Sequence, residues 1–264
     1  MILSFAGFGV QSAPPDRPAD PPASPAQKST LPPLPYESGT HLQFLWEHQG
    51  ESYATTRIDI EIVRKEDTAD LIRVRSQLDL DRGGRIVTGS SNLVCHGDVG
   101  HPVEYRHELT ISAASLGGAR SLMEVRFDGA VAELERQEGS HSSGKKELFV
   151  PVPTWLLDDQ CFEHWVLLAP YLGTIPEDGH LTVFVPHGEG MQTYTVRLER
   201  TEGAGESRRL RWSIQHAALS AKIWTDPEGR LLEYLQGDVR IHRVVPPTPS
   251  RGEDREREKG SVGG

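Results

Sequence analysis

The chain has 264 residues, 36% of them hydrophobic and 25% charged, and a formal net charge of −10. That balance fits a globular protein with polar tails, and its sign argues against a general affinity for nucleic acid or anionic lipid, whose phosphates attract basic surfaces. No run reaches the roughly 18 apolar residues of a spanning helix, so no transmembrane segment is expected.

Met1–Val10 (MILSFAGFGV) is apolar, and the small residues Ser12 and Ala13 follow it. Residues 1–13 therefore read as the remnant of a secretory signal, although the first Arg is Arg17 and the basic start of such a signal is missing. The location expected on this basis is the periplasm or cell envelope, with the cytoplasm as the alternative. Residues 14–36 are rich in Pro, Ala and Ser and read as a disordered linker, because Pro removes donors and favours extended backbone.

Residues 37–245 read as a single β-rich domain. Ile58, Ile60 and Ile62 alternate with Arg57, Asp59 and Glu61, the period-two pattern of a half-buried strand. Leu71–Leu80 follows, then a turn at Asp81–Gly84 and a return over Arg85–Cys95. Val103, Tyr105, Leu109 and Ile111 mark another strand. Leu122–Asp128 and Ala130–Gln137 form a hairpin about Asp128–Gly129, a strong short-turn signal. Glu147–Pro153 is apolar and ends in prolines.

Then the pattern changes. Asp158–Leu172 reads as a helix, with Asp158 or Asp159 as its cap. Cys161, Trp165, Leu168 and Leu172 lie on one stripe, and Phe162, Val166 and Ala169 lie beside it. A helix so broadly apolar should be enclosed, and Pro170 should end or bend it. Strand patterns resume over Leu181–Pro186, Tyr194–Leu198, Leu210–Ile214, Leu219–Thr225 and Leu231–Val244, with a turn at Asp226–Gly229. This makes about twelve strands and one helix. Residues 246–264 are charged, lack an apolar pattern and read as a disordered tail.

The expected fold is mainly β: a curved antiparallel sheet, a half-barrel or open barrel, wrapped around the single helix. Three segments carry a resemblance: MEVRFDGAVAELE (Met123–Glu135), FVPVPTWLLDDQCFEHWVLLAPYL (Phe149–Leu172) and KIWTDPEGRLLEYLQGDVRIHRV (Lys222–Val244). In their order and layout these resemble the bacterial envelope proteins known as domain of unknown function 3108. The resemblance implies a curved sheet around one helix, similar in shape to the half-barrels of periplasmic lipoprotein carriers. It supplies no catalytic residue, and fold alone does not give function.

Several clusters could carry chemistry. Cys161 and His164, three apart on the expected helix, share a face and form the minimum for a thiolate nucleophile; an apolar stripe around them would instead make the thiol inert. Cys95, His96, Asp98 and His101 could meet a zinc ion, or simply form a polar loop. The two cysteines cannot be paired from spacing alone. They read first as packed apolar residues, with a disulfide the alternative in an oxidising compartment. Asp158 and Asp159 read as cap and solvent-facing residues, and His187 and Glu189 as part of a hairpin loop. The five tryptophans either fill the core or line a cavity. No catalytic residue, metal or cofactor is assigned. The function read from these features is non-enzymatic: an exported protein holding an apolar small molecule, a lipid or acyl chain, between sheet and helix at Phe162, Trp165, Leu168, Trp212 and Trp224. The alternatives are a structural or protein-interaction module of the envelope, and a Cys/His hydrolase or metal-binding enzyme.

Overall fold

The structure, a computed structural model, describes residues 33–63, 70–113, 117–158, 161–176, 178–217 and 219–245. The expected signal remnant and charged tail lie outside the described residues. Eight strands come first: β1 (Thr40–His48), β2 (Glu51–Val63), β3 (Leu71–Arg82), β4 (Arg85–His96), β5 (Pro102–Ala113), β6 (Gly117–Asp128), β7 (Val131–Glu138) and β8 (His141–Phe149). A connection holding β9 (Trp155–Leu156) and the helix α1 (His164–Leu172) leads to the rest. These are β10 (Gly179–Val185), β11 (Gly190–Glu202), β12 (Arg209–His216), β13 (Leu219–Thr225), β14 (Leu231–Gln236) and β15 (Val239–Arg243).

All fifteen strands belong to one sheet, ordered β8-β7-β6-β5-β4-β3-β2-β1-β15-β14-β13-β12-β11-β10-β9. Two meanders meet where β1 pairs with β15 (Phe44 opposite Arg243), so the ends of the domain sit mid-sheet and its middle supplies both edges. Every pairing is antiparallel except β9 with β10, where Trp155 stands opposite Val183. Period-two alternation assigns the faces. On β2, Ile58 and Ile60 are buried and the residues between them exposed. The outer face carries cross-strand ion pairs such as Arg106–Glu124 and Arg120–Glu108. At the β8 edge, Lys145 and Lys146 blunt the unpaired backbone.

The helix lies inside the curve, and all nine of its residues are buried. Its apolar surround explains why it has no polar face: Phe44, Ile58, Val74, Leu134, Val183 and Ile223 belong to the same core. Burying Trp165, Leu168 and Leu172 stabilises the fold by about 1.5–3 kcal/mol each.

Three expectations need correction. The helix starts at His164, not Asp158, because Trp155–Leu156 pairs with β10 and Leu157 N–H donates to Phe184 O, which holds this stretch extended. Asp158 is therefore no helix cap; the cap position is Glu163, and the first turn is satisfied by backbone bonds such as Val166 N–H to Glu163 O. The end of the Pro-rich tract is packed rather than free. Tyr36 is buried and its hydroxyl accepts the Leu231 N–H, while Arg230 donates to Pro35 O.

Candidate functional site

The strand turns at 49–50, 83–84, 186–189 and 237–238 fall at one end of the sheet, and the turn at 226–230 at the other. Gly229, in the latter, comes so close to Pro170 that a Cβ there would lie 2.6 Å from its Cα. The C-terminal end of α1 thus plugs one end, and its N-terminal end faces the other. Above that N-terminal end lies a cavity of about 760 Å³. Trp46, Phe162, Trp165, Tyr194, Tyr234 and Ile241 form its apolar wall, and Asp158, Ser220 and Gln236 are polar groups in its lining. Phe162 is fixed there edge-on to Phe44 (5.1 Å between ring centres) and Trp46 (5.4 Å).

Beside the cavity sits a buried polar cluster. Strand register builds one side: Ser76 stands opposite Ser91, and Ser91 opposite His107, a polar row on the inner face of β3, β4 and β5. Both serine hydroxyls donate to Glu163 Oε1, at 2.5 and 2.7 Å. Asp158, 1% exposed, is the hub of the other side. Tyr105 Oη donates to its Oδ2 at 2.5 Å, His187 Nδ1 lies 2.6 Å from its Oδ1, and His107 Nδ1 lies 4.0 Å from Oδ2. The backbone N–H of Asp158 donates to His164 Nδ1 at 2.9 Å. His164 Nε2 is buried without a hydrogen-bond partner among the described residues.

Electrostatics follow from this packing. Burial alone would raise the Asp158 carboxyl, but its interactions with His187, foremost the hydrogen bond, and the hydrogen bond from Tyr105 outweigh it and hold the pKa at about 2. Asp158 is thus an ionised acceptor, and His187 must donate from Nδ1. Burial lowers His107 and His164, which favours neutral rings. Burial, reinforced by the neighbouring Asp158 carboxylate, raises Tyr105 well above the usual phenol range, so its hydroxyl stays a donor.

The candidate residues read from the sequence divide between two faces. Phe162 and Trp165 line the cavity, and Leu168 and Trp212 are buried in the adjoining core, with Trp212 Nε1–H donating to Thr225 Oγ1. Trp224 is a correction: Ala221, Ile223 and Thr225 take the inner positions of β13, so Trp224 projects from the outer face. Cys161 and His164 do not form a catalytic pair. Cys161 precedes the helix, its Sγ meets Tyr105 Oη at 3.3 Å, and burial raises its thiol well above the ordinary range. Both cysteines are free and buried, and the Cys95 thiol is pushed up to about 12. The Cys95–His101 cluster is structural at its histidine: His101 Nε2 is bonded to Gly129 O, and its Nδ1 accepts the Thr154 N–H. Asp159 lies outside the described residues.

From the sequence, no site role is expected of Tyr105, His107 or Glu163, and none beyond a cap of Asp158. For Ser76, Ser91 and His107 a signal exists: each is polar and occupies the inward parity of its strand, as His107 does between Tyr105 and Leu109. For Asp158 and His187 there is none, because only the tertiary fold brings positions 107, 158 and 187 together.

No protein-family model matches this chain, and no curated protein does. Among solved structures it is similar to a β-barrel-like protein of domain of unknown function DUF1849 from Brucella abortus. That likeness has a TM-score of 0.49 and 8% identity, and covers 77% of this chain and 94% of the other.

Proposed function

We propose that this protein binds an apolar small molecule, of the size of a lipid acyl chain, in the cavity between the sheet and the N-terminal end of α1. One observation carries the reading: the cavity of about 760 Å³, walled by Trp46, Phe162, Trp165, Tyr194 and Tyr234. Binding pockets for small molecules span about 300–1,000 Å³, with mostly apolar walls and a few polar groups that orient the ligand. Ser220 and Gln236 are such groups. The envelope location and kinship with the domain-of-unknown-function-3108 proteins belong to the same proposal and draw on the sequence layout alone. Among the described residues no helix is long and apolar enough to cross a membrane.

The test is native mass spectrometry of protein purified from its host, paired with titration of a fluorescent fatty-acid probe. The expected result is a copurifying apolar molecule, and saturable probe binding that Val239→Trp weakens by filling the lining. A protein that carries nothing and binds no probe overturns the reading.

The interaction-module alternative draws on a different observation. Val131, Phe149 and Val152 are exposed (43%, 73% and 53%), with Val131 opposite Phe149 on the β7–β8 edge. Concentration-dependent self-association abolished by Phe149→Ser would favour it.

A further inference from the structure

We propose that His107, Asp158 and His187 form a binding site for one divalent transition-metal ion, zinc being the best match to two imidazoles and a carboxylate. This goes beyond the apolar-ligand reading and does not depend on it. One ligand atom from each residue lies within 4.8 Å of the other two, and this is the group of three metal-capable side chains that the described residues bring together. In a tetrahedral zinc site with bonds of about 2.0–2.1 Å, neighbouring ligand atoms stand about 3.3 Å apart. His187 Nδ1 stands 2.6 Å from Asp158 Oδ1 and His107 Nδ1 stands 4.0 Å from Asp158 Oδ2, so the two imidazoles approach the carboxylate at its two different oxygens, on the scale of that spacing.

The ligands come from three separate elements, and their surroundings hold them in place. His107 is fixed by the β4–β5 and β5–β6 register. Asp158 is held by the Tyr105 hydroxyl, and such outer hydrogen bonds orient metal-binding carboxylates. The turn carrying His187 is clamped by Arg136, whose Nη2 donates to Pro186 O at 2.7 Å and His187 O at 3.1 Å. The same guanidinium pairs with Glu189 at 3.0 Å. Without metal, the His187 Nδ1–H donates to Asp158. On binding, that proton leaves Nδ1 for solvent, which the 27% exposed His187 side chain reaches, and the freed Nδ1 lone pair takes the ion. Two imidazoles and one carboxylate leave at least one coordination position unfilled by these three residues. Asp158 also lines the large cavity, and His107 lines a second one of about 90 Å³ with Cys161 and Glu163.

The experiment uses the full chain, stripped with chelator and dialysed. Zn²⁺ is titrated by calorimetry, and Co²⁺ by its visible absorption. One equivalent is expected, with Co²⁺ bands of a low-symmetry nitrogen–oxygen site. His187→Ala, a change on a partly exposed turn, should weaken binding by roughly tenfold or more with unchanged circular dichroism. Asp158→Asn should do the same, and His41→Ala, an exposed residue outside the cluster, should bind like the parent. Absence of saturable binding overturns the proposal. So does His187→Ala that folds and binds as tightly as the parent, which would leave the three residues a hydrogen-bonded cluster only.

Discussion

The hydroxyl of Tyr105 on β5 donates to the carboxylate of Asp158, 53 residues further along the chain, at 2.5 Å. This bond ties the inner face of the first meander to the connection that precedes the helix, in a place where Asp158 is shut off from solvent. A buried carboxylate needs several donors, and removing one leaves a desolvated charge short of a partner. Tyr105→Phe keeps the ring and its edge contact with His164 (5.1 Å) but deletes that donor. The expected loss is about 1–3 kcal/mol in chemical denaturation, with the slope unchanged. Unaltered stability would remove Tyr105 from the support of Asp158.

Acid should weaken the metal-free protein in two stages. Two buried imidazoles accept backbone N–H groups on Nδ1: His101 from Thr154 and His164 from Asp158. Burial lowers both below their ordinary value of 6.5. The unfolded chain therefore binds more protons than the folded one below pH 6.5, and stability falls as pH drops through that range toward the depressed folded values. Asp158 acts lower: its contribution is complete above the ordinary 3.8 and is lost as pH falls from there toward about 2. Melting temperatures measured in chelator from pH 8 to pH 3 should hold down to about pH 7, then decline. A flat profile between pH 7 and pH 5 would show that these rings are not neutral acceptors in solution.

Much of this architecture is legible in the sequence, and the illegible part has physical causes. Alternation at Ile58, Ile60 and Ile62 and the Asp128–Gly129 turn gave strands and a hairpin that the structure contains, because local pattern and sheet burial agree there. The apolar segment from His164 is helical and enclosed, as its composition requires. Its start differs from the sequence expectation because Trp155–Leu156 pairs with β10 and Leu157 N–H donates to Phe184 O, contacts made nearly thirty residues away. The polar cluster was half visible. His107 breaks an inward apolar phase, but its meaning depends on Asp158 and His187, which no spacing rule joins to it.

The tryptophans give a paired test of which face is the core. Trp212 is buried, opposite Ile223 on the inner side, whereas Trp224 stands between Arg211 and Glu233 on the outer side. Trp212→Ala should cost about 3–5 kcal/mol through cavity formation. Trp224→Ala, at a half-buried position on the outer face where no enclosed cavity is left behind, should cost less, about 1 kcal/mol. Urea midpoints of the two variants check this directly. Equal losses would mean that β13 faces the other way.

Gly229 offers the sharpest probe of how the helix is seated. It closes the turn between β13 and β14 at φ +86°, where side chains other than glycine are strained, and its N–H donates to Asp226 O at 3.0 Å. An added Cβ would meet Pro170 Cα at 2.6 Å and Pro170 Cβ at 3.3 Å, backbone and ring atoms that cannot rotate away. Gly237, in the turn between β14 and β15 at φ +56°, has nothing within 4 Å of the same imagined atom. Backbone strain alone should make Gly237→Ala cost about 1 kcal/mol. Gly229→Ala adds overpacking against the helix of about 1–3 kcal/mol. Thermal unfolding of both variants separates the two contributions. Matching losses would show that the turn does not press on Pro170, and that the C-terminal end of α1 is held by the core alone.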